Sequence, residues 1–392
     1  MSAARRNGPA GRGPVEPDPG GSRPLRVGIV GCGLIGAKRA LALAPADELV
    51  GCYDIDGAAT GALARRHGGK ACATVEELLA LEPDVVIVAT VHDRLAELTE
   101  RALSAGAHVL VEKPAGISTA QVDRLIEHAR ANERLVKVGF NHRFHPALAR
   151  IAAEAHSGRH GELLHLRARY GHGGRPGYGS EWRADPLRSG GGELVDQGMH
   201  LLDLTHWLAG PLPLRSALLR TQFWDTAVED NAALILGEPD CVCGPWAMLH
   251  VSWTEWKNLF SIEVFCRTAK LQLDGLAGSY GPQRLRIYRM GPELGPPALE
   301  EVVYAGEDVS WQREWRHFAA AIARGGDLPL LGGLGDARYA WSQVEAAYAA
   351  ARPQAGGLDT EASHAGEPPA APRAPDRRSE RDPSAVPAET AP

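Results

Sequence analysis

Three side chains in this sequence have the types and spacing for proton transfer at an alcohol. Lys113 stands in Glu112-Lys113-Pro114, directly after the apolar run Val109-Leu110-Val111. Asp196 and His200 lie one helical turn apart in Gly190-Gly191-Gly192-Glu193-Leu194-Val195-Asp196-Gln197-Gly198-Met199-His200. On a helix that spacing puts both on one face. A carboxylate beside an imidazole raises its basicity and can fix its tautomer. The ordinary imidazole pKa of about 6.5 suits His200 to take a hydroxyl proton near neutral pH. A lysine ammonium at a strand end can stabilise the charge that develops on the same oxygen. An isolated capping aspartate and core histidine would look no different, so the pair depends on its context.

The elements that must position these groups fall into two halves. Apolar runs at residues 25–30, 49–53, 84–89, 109–111 and 135–138 alternate with helical patterns at 34–43, 58–66, a stretch ending at 103, and 118–131. Short, nearly continuous apolar strands between helices predict an α/β, doubly wound parallel sheet covered on both faces, a Rossmann domain over 25–145. Ligands of such sheets bind beyond the carboxyl ends of the strands, where Lys113 falls. Later segments at 163–170, 214–223, 232–236, 246–253, 259–266 and 269–273 are rich in β-branched and aromatic residues. They predict a C-terminal α+β domain over 146–352 with a large open, mostly antiparallel sheet. Helices are expected at 195–208, 311–324 and 335–351. Residues 1–24 and 353–392 are Pro-, Gly- and Ala-rich without periodicity and are expected to be disordered.

Gly31-Cys32-Gly33-Leu34-Ile35-Gly36 follows the first strand and opens the first helix. The first glycine allows a tight turn, the second close approach of a pyrophosphate, and the third helix–strand packing. The helix N-terminus would face the phosphates. Asp54 ends the second strand 18 residues beyond Gly36, placed to accept hydrogen bonds from the adenosine ribose. It would repel a 2′-phosphate, which favours NAD over NADP. Neighbouring Asp56 could serve as a helix N-cap.

The formal charge of −6 over 392 residues gives no basic surface for nucleic acid. Six cysteines lack framework spacing, and Cys241-Val242-Cys243 has no second metal-binding pair. No metal is expected, and a reduced cytoplasmic protein is. No apolar run approaches the roughly 18 residues of a membrane span. Arg5 and Arg6 precede no apolar stretch, so no secretory signal is read there.

Four segments in this order resemble the Gfo/Idh/MocA oxidoreductase family, which includes glucose–fructose oxidoreductase and inositol dehydrogenases. They are the glycine turn of 31–36, Glu112-Lys113-Pro114, Asn141-His142-Arg143-Phe144 and Asp196-Gln197-Gly198-Met199-His200. The resemblance spans residues 25–350. It implies Lys113, Asp196 and His200 as the catalytic set and a homodimer or homotetramer formed through the open sheet. It further implies a cis bond before Pro114. Gly31, Gly33, Leu34, Ile35, Gly36, Asp54, Thr90, His92, Glu112 and Lys113 are expected around the cofactor. The family commonly shows Thr-Pro-Asn with a histidine three positions on. This chain has Thr90-Val91-His92-Asp93-Arg94-Leu95, so His92 is either a nicotinamide neighbour or an ordinary loop residue.

The segment from His172 to Arg183 is glycine-rich, with Arg175, Tyr178, Trp182 and Arg183 interleaved, and Arg188 follows. Aromatic rings stack on sugars or bases, and arginines pair with phosphates. An exposed loop with solvated charges reads equally well. With Asn141, Arg143, Asp196, His200 and Lys113, the residues Tyr178, Trp182 and Arg183 form the expected substrate set. The segment resembles relatives acting on nucleotide sugars, with oxidation at C3 favoured. A free sugar or cyclitol is the second reading. Some relatives are non-catalytic dinucleotide-binding regulators, and the presence of all three catalytic residues argues against that.

Overall fold

The computed structural model describes residues 23–239, 243–293 and 295–351. The expected tails, apart from residues 23 and 24, and the Cys241-Val242 pair lie outside the described residues. The first sheet comprises β1 (Arg26–Val30), β2 (Glu48–Tyr53), β3 (Lys70–Ala71), β4 (Val85–Val88), β5 (His108–Val111) and β6 (Val136–Val138). Between them run α1 (Leu34–Ala42), α2 (Gly57–His67), α3 (Val75–Leu79), α4 (His92–Ser104) and α5 (Thr119–Ala131). The order is β3-β2-β1-β4-β5-β6, and every pairing is parallel. The four residues of β4 are all buried, as a strand covered on both faces requires. Ser118 caps α5 by accepting from Gln121 N, and Asp56 caps α2 through Ala58 N.

The second half opens with α6 (Pro146–His156) and β7 (Leu163–Gly171), then α7 (Pro186–Ser189) and α8 (Met199–Ala209). Seven strands follow: β8 (Leu214–Arg220), β9 (Asn231–Gly237), β10 (Trp246–Ser252), β11 (Leu259–Cys266), β12 (Ala269–Asp274), β13 (Gln283–Arg289) and β14 (Ala298–Tyr304). The eight strands run in the order β14-β13-β12-β11-β7-β10-β9-β8, antiparallel except for β7 beside β10. The sequence gives little warning of β13 and β14. The edge strand β14 carries Glu300 and Glu301, paired to Arg289, Arg284 and Arg286 of β13, in place of an apolar alternation. The strand expected at 214–223 stops at Arg220. Beyond it the Asp230 carboxylate accepts from the backbone of Gln222, Phe223 and Trp224, which closes a turn.

Helices α9 (Ser310–Ala323) and α10 (Leu334–Ala351) end the described chain. They lie beyond the expected boundary at 145, yet α9 packs on the first sheet, and α10 lies between α5 of the first half and α8 and β8 of the second. Trp315 and Phe318 of α9 share a core with Val27, Ile29 and Ile87. Trp341 of α10 donates its indole N–H to the Pro114 carbonyl at 3.0 Å. Glu314 of α9 is wholly buried between Arg39 of α1 and Lys137 of β6. No helix among the described residues is long and apolar enough to cross a membrane.

Candidate active site

The glycine turn sits at the carboxyl end of β1, in the middle of the parallel sheet. Gly31 has φ +96°, and a Cβ there would lie 2.4 Å from the Ala89 carbonyl oxygen. A Cβ on Gly36 would lie 1.9 Å from the Gly31 oxygen, so helix and strand meet there only through glycine. Gly33 has nothing within 4 Å of its virtual Cβ and is exposed, as is Leu34. The three glycines therefore do three jobs: turn, open approach and close packing. No side chain caps α1, which leaves its first N–H groups free for an anion. Asp54 accepts from Cys32 N at 2.7 Å and from Asp56 N at 2.9 Å, holding its carboxylate across the turn. This donor set fits a dinucleotide pyrophosphate and ribose.

A cleft of about 380 Å³ opens beside this turn. Ile35, Thr90, His92, Glu112 and Lys113 line it from the first sheet. Asn141 lines it from the segment after β6, and Trp182, Arg183, Asp196 and His200 line it from the second half. The bond from Lys113 to Pro114 is cis. Glu112, beside Lys113, is buried in an ion pair with Arg39. Lys113 Nζ donates to Asp196 Oδ1 at 2.5 Å and to the Asp196 carbonyl at 2.6 Å. Arg183 Nε reaches Asp196 Oδ2 at 3.3 Å. Burial opposes charge on Asp196, but Lys113 and Arg183 outweigh it and hold the carboxyl well below the usual range.

Residues Leu194–Gly198 form a π turn that leads into α8. Such turns recur at functional sites because they displace side chains from the regular helical path. The geometry departs from the sequence reading here. Asp196 makes no hydrogen bond to His200, and both its oxygens are engaged by Lys113 and Arg183. His200 instead stacks on His142, with ring centroids 3.7 Å apart and planes 15° from parallel. Burial pushes both imidazoles well below their ordinary pKa, with Lys113 adding to the effect. His200 Nδ1 is buried without a partner, which leaves Nε2 to meet a ligand.

Two expected substrate residues lie elsewhere. Arg143 donates to Asp203 at 2.6 and 2.9 Å and pairs with Asp336 at 2.9 Å, deep in the protein. Its guanidinium locks the 3₁₀ turn at Asn141–Phe144 to α8 and α10, and nothing of it reaches the cleft. Tyr178 is 2% exposed and packs on Trp253 and Val228. Arg175 is held by Glu181 outside the cleft. Trp182 and Arg183 stay at the cleft, the guanidinium 4.5 Å from the indole centre. His92 is a buried neutral imidazole, pushed down to about 3 by burial and Lys113. Its Nδ1 contacts the Ser189 carbonyl at 2.9 Å, and its ring meets Trp182 edge-on.

The sequence reading missed several cleft residues. His142 sits between two residues it had singled out, and only the stack on His200 distinguishes it. Gln197 donates to the Tyr280 hydroxyl at 2.9 Å. Tyr280 arrives on the β12–β13 turn, where Ala277 adopts φ 68°. Asp308 and Trp311 come from the start of α9, their side chains joined at 2.9 Å. Turn residues mark 275–281 in the sequence, but only the sheet order brings that turn to the cleft.

A parallel sheet with a glycine turn, joined to an open sheet that supplies the other wall of the cleft, defines a two-domain dinucleotide-binding oxidoreductase. Residues 25–140 match the model for the oxidoreductase family with an NAD-binding Rossmann fold, and 148–272 match the same family's C-terminal domain. The chain belongs to the GFO/IDH/MocA family. Inositol 2-dehydrogenase 2 of Saccharopolyspora erythraea is 30% identical over 52% of this chain, an alignment that spans only 61% of that relative. The dTDP-3,4-didehydro-2,6-dideoxy-alpha-D-glucose 3-reductase of Streptomyces violaceoruber is 33% identical over 61% of this chain and 71% of its own length. The crystal structure of GenD2 from gentamicin A biosynthesis, in complex with NAD, superposes with TM-score 0.72 at 25% identity, covering 85% of this chain and 97% of that one.

Proposed function

We propose that this chain is an NAD-dependent oxidoreductase of a secondary alcohol or ketone on a sugar, with a nucleotide sugar as substrate and C3 as the reacting carbon. The observation that carries the reading is the joining of Lys113 to Asp196 across the cleft, with His200 facing the same space. A bound nicotinamide dinucleotide would supply the hydride acceptor. His200 Nε2 takes the hydroxyl proton during oxidation and returns it in reduction; its burial keeps it neutral and ready to accept. An ammonium has three donors, and Asp196 uses two from Lys113. The third is left for the reacting oxygen. Asp196 holds Lys113 in place and is within reach of a neighbouring sugar hydroxyl.

Trp182 and Arg183 support a nucleotide sugar: one offers a stacking face, the other a charge for phosphate. The related 3-reductase supports both the nucleotide and C3. Asp54 supports NAD, because its carboxylate would face a 2′-phosphate. A free sugar or cyclitol is the second reading, supported by the related inositol dehydrogenase. The outer face of the eight-stranded sheet exposes Leu218, Trp246, Met248 and Leu299, which supports a homodimer or homotetramer. Free Cys32, Cys52, Cys72, Cys243 and Cys266 support a reducing, cytoplasmic setting.

The purified chain mixed with NAD or NADP and a panel of UDP-glucose, UDP-N-acetylglucosamine, dTDP-glucose, methyl glucoside and myo-inositol tests the reading at 340 nm. Reduction of NAD with a nucleotide sugar is expected, and borodeuteride trapping should place deuterium at C3. Turnover of myo-inositol alone would select the second reading. NADH binding without turnover of any sugar, by absorbance or by mass spectrometry of the mixture, would select a regulator.

A further inference from the structure

Glu193, immediately before the π turn, is 0% exposed, and neither carboxyl oxygen has a hydrogen-bond partner. A buried carboxylate without partners is costly, and such a group takes up a proton instead. One of its oxygens, one oxygen of Asp196 and one ring nitrogen of His172 lie within 4.8 Å of one another. Three such groups could surround a cation, but the charges already present oppose one. Asp196 faces Lys113 and Arg183, and His172 Nδ1 accepts from Gly174 N at 3.0 Å, so its Nε2 carries hydrogen. What the cluster lacks is a proton between two acidic groups.

We propose that Glu193 and Asp196 form a carboxylic acid–carboxylate pair holding a single proton, carried by Glu193, the neutral member that positions the Asp196–Lys113 pair. Two carboxylates this close cannot both ionise without strong repulsion. Other neighbours agree. Glu229, before β9, adds a second negative charge nearby, and its carboxylate is committed to Gly192 N, Leu194 N and Tyr348. Lys113 is the opposing positive charge, but it is spent on Asp196. Trp253 is buried beside Glu193, and its indole N–H, which has no other acceptor, opposes the protonated form without outweighing burial and Asp196. Tyr170, Tyr178 and Tyr280 complete the surroundings as neutral phenols, each raised by burial. Burial, followed by Asp196, pushes Glu193 well above the usual carboxylate range. Glu193 is thus a positioning residue acting through Asp196. When it ionises, Asp196 must share Lys113 with a second carboxylate, and the pair shifts.

The dyad stands or falls independently of the sugar reading, because its test needs no substrate. In the infrared spectrum of the full chain labelled with ¹³C-glutamate, a protonated carboxylic carbonyl band that moves with the label is expected at neutral pH. Glu193→Gln should remove it, and Glu193→Asp should replace it by an unlabelled band. In ¹⁵N-lysine-labelled protein, the Nζ resonance assigned by its loss in Lys113→Met should move with alkaline pH as the band vanishes. That movement should be lost in Glu193→Gln. A neutral-pH spectrum without the band overturns the proposal, as does a Lys113 resonance that titrates identically in wild type and Glu193→Gln. Should Glu193→Gln not fold, the label shift in wild type and the Glu193→Asp exchange decide the first point alone.

Discussion

Lys113 Nζ donates to both the carboxylate and the main-chain carbonyl of Asp196, at 2.5 and 2.6 Å, and so ties the end of β5 to the π turn before α8. The same ammonium therefore has a structural partner and a free donor. Lys113→Met should lower turnover by about a hundredfold or more. NADH affinity, followed by fluorescence, should change little. Full turnover in this variant would remove Lys113 from the chemistry.

His200 should set the acid limb of the pH–rate profile. Its buried imidazole is held well below 6.5, so it remains an unprotonated base in mildly acidic buffer. The limb of kcat/KM for oxidation is expected below pH 6.5, and His200→Ala should lower kcat by about a hundredfold or more. A limb at or above 6.5 in the wild type would contradict the burial argument.

Two arginines should separate cleanly. Arg143→Met leaves Asp203 buried without its partner and should cost about 3–5 kcal/mol of stability. Arg183→Ala should raise KM for a phosphate-bearing substrate and leave the melting temperature nearly unchanged. Calorimetry beside steady-state kinetics on both variants makes the comparison. An Arg143 variant that melts like wild type would return that residue to the list of candidate ligands.

Asp54→Ser should weaken NADH binding and improve the ratio of NADP to NAD turnover. The hydrogen bond from Cys32 N would be lengthened or lost as well, so the glycine turn itself should loosen. An unchanged cofactor ratio would show that Asp54 serves the turn and not the ribose.

Acid stability should follow the buried histidines. Burial lowers His92 to about 3, and His145 and His317 to about 4, against 6.5 for the unfolded chain. Between these values the unfolded state binds more protons than the folded state, so stability falls as pH falls. The melting temperature is expected to drop from about pH 6.5 toward pH 4. His317→Phe should flatten part of that slope; a melting temperature independent of pH across the window would show that these rings are not buried neutral in solution.

The fold was largely legible because strand burial and helix periodicity are local. The β1 glycine turn, Lys113 and the Asp56 cap could all be placed from short segments. The site was legible only where one segment carries its own geometry. Asp196 and His200 are one turn apart in any helix, yet the π turn and Lys113 redirect the aspartate, and no residue pattern announces that. Arg143 and Tyr178 have the chemistry of ligands, but their partners lie 60 and 75 residues away, at Asp203 and Trp253. Glu193 is the reverse case: its sequence neighbours suggest a solvated helix start, and only burial reveals an acid.

Trp315 and Phe318 of α9 fill the core beneath β1, with Glu314 buried between Arg39 and Lys137. The consequence is one of modularity. The cofactor-binding half cannot be lifted out as a contiguous cassette, because its last structural layer is encoded some 170 residues after its last strand. A fragment ending near residue 145 would expose Val27, Ile29 and Ile87 and leave Lys137 without its only carboxylate partner. Recombination between relatives would have to exchange the C-terminal helices together with the first sheet.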